Sequence, residues 1–169
     1  MALYTSAEAA KLLRSLKDEE ELLLTKEREG YTFAAALGEN IEDVRPDYSF
    51  KETSESLSEV QRKIIKVKHA VNIFNSTTKI LGDTTIDMAL ITLPQLSSRK
   101  RTLNGMMMLP KKKRNKVYGN GSANVIDYTY TNFTAEEVKE EYERVSKKLD
   151  DLQLALDKAN STLTMEIDI

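Results

Sequence analysis

At 169 residues, with 31% charged and 40% hydrophobic content, no Trp, three Pro and six Gly, the chain suits one domain of long, surface-rich helices around a real core. The absence of cysteine excludes disulfides, thiolate zinc sites and a cysteine nucleophile. The net charge of −2 conceals an asymmetry. No acidic residue lies between Asp87 and Asp127, where Arg99, Lys100, Arg101, Lys111, Lys112, Lys113, Arg114 and Lys116 supply eight positive charges, so the remainder carries 17 basic against 27 acidic residues.

The opening Met1-Ala-Leu-Tyr-Thr-Ser lacks the basic-then-apolar pattern of a leader, and no apolar run approaches the ~20 residues that span a bilayer. A cytoplasmic protein without a membrane span is expected. The first helix is predicted over 6–29, opened by the capping box Thr5-Ser-Ala-Glu8 and stopped at Gly30. Ala9, Leu12, Leu13, Leu16 and Leu23 share one side, and Glu20 near that seam places the helix at the edge of a bundle. In Tyr31–Leu37 the larger side chains Tyr31, Phe33 and Leu37 alternate with small ones, which favours a short strand, although three alanines argue for continued helix. Residues 40–50, with Arg45-Pro46-Asp47, read as an exposed connection.

The second helix is predicted over 53–79, with Leu57, Val60, Ile64, Val67, Val71 and Phe74 recurring in steps of 3 and 4. Leu81-Gly82 breaks the chain. A third helix over 84–108 buries Ile86, Leu90, Leu93, Leu96, Leu103 and Met107, and Pro94 is expected to bend or split it. Residues 113–132 read as an antiparallel hairpin around the turn Tyr118-Gly-Asn-Gly121, with residues 31–37 a candidate third strand. The last helix, 134–163, opens with the capping box Thr134-Ala-Glu-Glu137 and carries the longest seam: Val138, Tyr142, Val145, Leu149, Leu152, Leu156, Ala159 and Leu163. Shifted by 85 residues, the second helix falls on the last, seam upon seam, and Asn75-Ser-Thr77 upon Asn160-Ser-Thr162.

The stretches Gln153–Thr162, Lys68–Thr77 and Asp83-Thr-Thr-Ile-Asp-Met-Ala-Leu90 resemble an uncharacterised bacterial coiled-coil family often labelled septicolysin, over nearly the whole chain and in the same element order. The resemblance implies a helical, self-associating protein and carries no catalytic residues with it.

Residue chemistry points away from catalysis. His69 is the only histidine, so a His-based triad or a multi-histidine metal site cannot be built in one chain, and the Glu-x-x-His pairs of di-iron bundles are missing. Gly119-Asn-Gly121 is a turn and not a phosphate loop. Glu136, Glu137, Glu140, Glu141 and Glu143 sit where a helix N-terminus favours negative charge. Met106-Met-Met108 is either core or an adaptable contact surface. No catalytic, cofactor or metal residues are assigned.

Two binding candidates are left. The basic stretch 99–116 either binds nucleic acid or an acidic membrane surface, or lies beside the acidic runs Asp18–Glu21 and Glu136–Glu143 in the same molecule or a partner subunit. Asn72, Asn75, Thr77, Asn160 and Thr162 either gather into a polar cluster that binds a small molecule, or cap helix ends. The expected architecture is mainly α: a long antiparallel, coiled-coil-like bundle of about four helices in one domain, 1–169, with a small antiparallel β element. The expected role is a non-enzymatic interaction or assembly protein, a homo-oligomer or a binder of a protein partner, that buries apolar seams between protomers. Nucleic-acid binding and small-molecule binding are the competing readings.

Overall fold

A computed structural model describes residues 2–115 and 127–169. The elements run β1 (Ala2–Thr5), α1 (Ser6–Gly30), α2 (Ile41–Val44), α3 (Phe50–Thr77), β2 (Lys79–Leu81), β3 (Thr84–Thr85), α4 (Ile86–Met107), β4 (Lys112–Arg114), β5 (Tyr128–Tyr130), α5 (Ala135–Thr162) and β6 (Thr164–Ile167). The protein is mainly helical, with three two-stranded antiparallel sheets, β1–β6, β2–β3 and β4–β5. Its contacts divide into two compact units, Met1–Thr78 with Asp157–Ile169, and Lys79–Leu156.

In the first unit α1 packs along α3. The seam expected for α3 is realised: Val60, Ile64, Val67 and Phe74 are buried, against Ala9 and Leu16 buried on α1. Each such aliphatic or aromatic side chain contributes about 1.5–3 kcal/mol when fully buried. Both reciprocal bonds of the first capping box form: the Thr5 N–H donates to Glu8 Oε2 at 2.8 Å, and the Glu8 N–H to Thr5 Oγ1 at 3.3 Å. Glu20 stays half-exposed and accepts from Gln61 Nε2 at 3.0 Å, so the carboxylate is met at the seam's edge by a side chain of α3.

The same unit holds the β1–β6 ribbon, in register Ala2↔Ile167 to Thr5↔Thr164. Met165 and Ile167 are buried while Thr164 and Glu166 are exposed, and β6 packs on α3. This sheet was not expected from the sequence, although Thr164-Met-Glu-Ile167 has the period-2 alternation of a half-buried strand.

Several expectations are corrected here. Residues 31–37 form no strand: Tyr31, Phe33 and Leu37 are exposed, Arg45 lies over the Phe33 ring at 5.6 Å, and the Ala36 N–H is taken by the Glu39 carboxylate. Alternation against alanine offers no apolar face large enough to hold a strand, and no neighbouring strand supplies a ladder. The connection after it contains α2, with Asn40 as its N-cap. The second long helix starts three residues early, at Phe50, because Ser49 accepts from the Glu52 N–H and caps it.

In the second unit Leu103, Val138 and Val145 form a buried cluster joining α4 to the first half of α5, with Leu96, Met106, Met107, Phe133 and Tyr142 packed around it. Met106 and Met107 are thus core, and Met108 is exposed. Of the two outcomes expected at Pro94, the split does not occur, and α4 continues from Ile86 to Met107. The carbonyl that loses its helical donor belongs to Leu90, and both Leu90 and Pro94 are exposed, so the missing bond falls on the solvent side of the helix, where it costs least. Further along α5, Leu152, Leu156 and Ala159 are buried as its pattern requires. These seam residues are therefore buried within one chain, while Leu163 at the end of the last seam stays 38% exposed.

Among the described residues the predicted hairpin is present as two antiparallel strands, with Lys112↔Tyr130, Lys113↔Thr129 and Arg114↔Tyr128 paired. The predicted turn Tyr118–Gly121 and the strand residues Val125 and Ile126 lie outside the described residues. The 85-residue shift extends from the seams to the elements: α3 and α5 both have 28 residues, and each leads into a strand, β2 or β6. Those strands pair with β3 and β1, which open α4 and α1. Ala9 and Ala89, four residues into α1 and α4, are both almost completely buried.

Candidate functional site

The basic stretch divides into two chemically different parts. On α4, Arg99 and Lys100 face the start of α5: Lys100 Nζ lies 5.7 Å from the centroid of the Tyr142 ring. Glu141 is held below the ordinary carboxylate range first by its bond to Arg144, and the Arg99 charge adds to that. The Arg144 Nε and one terminal nitrogen each donate to Glu141 at 2.7 Å. Of the α4 cations, Arg99 thus acts on the acidic start of α5 as a nearby charge, and Lys100 lies over an aromatic ring there.

The hairpin cations are not compensated. Lys111, Lys112, Lys113 and Arg114 are exposed, and none forms an ion pair with a carboxylate among the described residues. The pairing register places Lys112, Arg114, Tyr128 and Tyr130 on one face of the ribbon, with Lys113 and Thr129 on the other. Lys112 Nζ sits 4.0 Å from the Tyr128 centroid and 5.4 Å from that of Tyr130. The two rings are 6.4 Å apart and tilted by 49°, and they remain 41% and 61% exposed. The ladder is prolonged by Asn115 N–H to Asp127 O at 2.8 Å and Thr131 N–H to Lys111 O at 3.3 Å. On the other face the Thr129 hydroxyl donates to Asn115 Oδ1 at 2.8 Å. Arg101 is exposed on α4, and Lys116 lies outside the described residues.

Sequence reading took Tyr128 and Tyr130 only as strand formers. The signal that marks them as surface groups is the matching i, i+2 spacing of Lys112/Arg114 and Tyr128/Tyr130, which a two-residue register turns into one mixed face.

The hydroxyls of the polar endings bond back to carbonyls one turn earlier in their own helices. Thr77 Oγ1 donates to Ile73 O at 2.7 Å, and Thr162 Oγ1 to Lys158 O at 2.8 Å. Ser76 and Ser161 likewise bond carbonyls of their own helices. Asn75 and Asn160 are half-buried and Asn72 is exposed. Of this set Thr77 lines a concave surface, an open groove of about 610 Å³ against β6 that also takes in Lys66, His69, Phe74, Met165 and Asp168. Lys66 is 3.7 Å from Asp168, and His69 is exposed without a hydrogen-bond partner among the described residues. The groove thus offers one imidazole and one ion pair over an apolar floor. Among the described residues, no three His, Cys, Asp or Glu side chains form a metal-binding group. No described helix is long and apolar enough to cross a membrane.

A further surface lies at the start of α4. Of the eight residues 86–93, six are apolar and they go all round the helix, but only Ile86, Ala89 and Leu93 are buried. Met88, Leu90 and Ile91 are 51%, 49% and 63% exposed. Asp87, the one charge between Thr84 and Ser98, is engaged at the helix start, accepting from the Thr85 hydroxyl and from the Met88 N–H at 2.8 Å.

Comparison with protein-family profiles finds no match, and comparison with curated proteins finds none. Among solved structures the fold resembles a functionally unknown conserved protein from Corynebacterium diphtheriae, with a TM-score of 0.56 and 14% identity over 98% of this chain and 100% of that one. At that identity the likeness speaks to the fold alone.

Proposed function

We propose that this protein is a non-enzymatic assembly module, a homo-oligomer whose copies meet through the start of α4. The carrying observation is the exposed apolar set Met88, Leu90 and Ile91 on a helix that is apolar all round. Such a helix is normally enclosed. The local fold does not require these side chains. Aligning the buried Ala9 with Ala89 sets Glu8, Ala10 and Lys11 of α1 against Met88, Leu90 and Ile91, and α1 forms a helix of the same kind without them.

A second copy is the occupant that suits the surface best. From Thr84 to Ser98 the segment has a single, internally bonded charge, so it presents no pattern for an oppositely charged partner to read, and an apolar face is complementary to itself. The resemblance to the coiled-coil family labelled septicolysin points the same way, and membership of that family belongs to this proposal.

The test gives the exposed positions the residues α1 tolerates, Met88→Glu with Ile91→Lys. Light scattering is expected to find the wild-type chain as an oligomer and the double variant as a monomer with the same helical circular dichroism. A monomeric wild type at the highest soluble concentration, or a variant that stays assembled, refutes the reading.

A further inference from the structure

We propose that the exposed face of the β4–β5 hairpin is a binding site for single-stranded nucleic acid, in which unstacked bases lie on Tyr128 and Tyr130 and phosphates meet Lys112 and Arg114. The proposal is independent of the α4 contact.

Three observations carry it. First, the two rings are large apolar surfaces left in solvent, on a strand that shows no buried residue. Exposed rings on a strand are what base stacking uses, and the interaction tolerates any sequence because every base has a π-face. Second, the cations share the rings' face by register and have no carboxylate of their own, so a polyanion adds neutralisation that the fold does not already provide. The nearest acidic residue in sequence, Asp127, precedes Tyr128, and its backbone carbonyl accepts from Asn115. Third, the spacing selects the strand type. Ring centres 6.4 Å apart and tilted by 49° match neither the spacing of about 3.4 Å nor the parallel planes of bases stacked in a duplex. They suit bases splayed from one another, one to a ring. Lys112 now lies over both rings. An exposed cation–π contact is weaker than base stacking, and its flexible stem lets the ammonium swing to a phosphate when a base arrives.

An acidic protein surface would meet the same cations but would leave the rings without a role, which is what the experiment separates. Fluorescence anisotropy of labelled oligothymidylate and oligouridylate, each of roughly 20 nucleotides in about 50 mM salt, is measured with the full chain. A duplex of equal length and polyglutamate serve as competitors. A single strand of either sugar is expected to bind, and neither competitor to displace it at equal charge concentration. Tyr128→Ala with Tyr130→Ala is expected to weaken binding by roughly tenfold or more, while the double Phe variant, which keeps both rings, retains it. Lys112→Gln with Arg114→Gln should lower the slope of log affinity against log salt by about 1.4. Failure of both strands to bind, equal competition by duplex or polyglutamate, or an unchanged affinity in the double Ala variant overturns the proposal.

Discussion

Gly30 closes α1 at the point where the chain returns to lay Tyr48 against it. A Cβ built on Gly30 would stand 2.5 Å from Tyr48 Cβ, 2.6 Å from Cγ and 3.0 Å from Cδ2. Carbon atoms rest at about 3.5–4.0 Å, so Gly30→Ala is short by roughly 1 Å against the root of the side chain, which no rotamer change can move. Overpacking of this kind costs about 1–3 kcal/mol, against a gain of about 0.5–1 kcal/mol for alanine over glycine in a helix. The net expectation is a loss of about 0.5–2 kcal/mol in urea unfolding, at unchanged m. Repeating the substitution on Tyr48→Gly, which removes all three crowded atoms, should reverse the sign and leave the helical gain. On Tyr48→Ala, where the 2.5 Å contact persists, a smaller loss should remain. This coupling measures the close approach itself, since the intrinsic cost of changing Tyr48 cancels in the cycle. If Gly30→Ala is stabilising in the wild-type background, the loop yields freely and the reasoning fails.

Other outcomes follow from the same geometry. Leu103→Ala empties the centre of the Leu103, Val138 and Val145 cluster and should cost roughly 3–4 kcal/mol in denaturant unfolding, while Leu22→Ala, at a position 70% exposed, should stay within about 0.5 kcal/mol. Similar losses at the two sites would contradict the assignment of that core. At the start of α5, the Thr134 N–H and hydroxyl donate to Glu137 at 2.9 and 2.8 Å and hold its carboxyl below the ordinary 4.5. Because the folded value is the lower one, the stabilisation is present above the unfolded pKa and is lost as pH falls through the folded value. NMR titration of Thr134→Ala should show Glu137 moving up towards 4.5 and this acid dependence diminished; an unmoved titration would count against the capping box as its cause.

The helices were legible because each states its own period and its own start. The seam through Val60, Ile64 and Val67, the seam through Val138, Val145 and Leu152, and the boxes at Thr5 and Thr134 all rest on bonds and faces within a few residues of each other. Gly30 was legible as a position but not as a reason: it ends α1 without a left-handed backbone, and what it accommodates is Tyr48, 18 residues away. Residues 31–37 misled because alternation shows only that a strand could have a face, and a strand forms when another backbone completes its hydrogen bonds. At Pro94 the sequence left bending and splitting open, and continuity of α4 was decided by the fold, since the cost of a lost helical bond depends on whether its carbonyl faces solvent or protein. The basic stretch was visible as charge, but that Lys100 meets the Tyr142 ring of α5 while Lys112 meets Tyr128 and Tyr130 across a ribbon depends on which elements the fold brings beside it.

Sequence alone determined the long helices, the seams of α3 and α5, the capping boxes at Thr5 and Thr134 and the absence of thiol chemistry, because these depend on residue type and on spacing along a rigid local geometry. Tertiary structure alone decided that β6 pairs with β1, Ala2 with Ile167 and Thr5 with Thr164, that the seam residues Val60, Ile64, Val145 and Leu152 are buried within one chain, and that two tyrosines share one exposed face with Lys112 and Arg114. Those outcomes depend on which distant backbone completes an unfilled ladder and which surface remains after the core is closed, and neither is encoded in the period of any single segment.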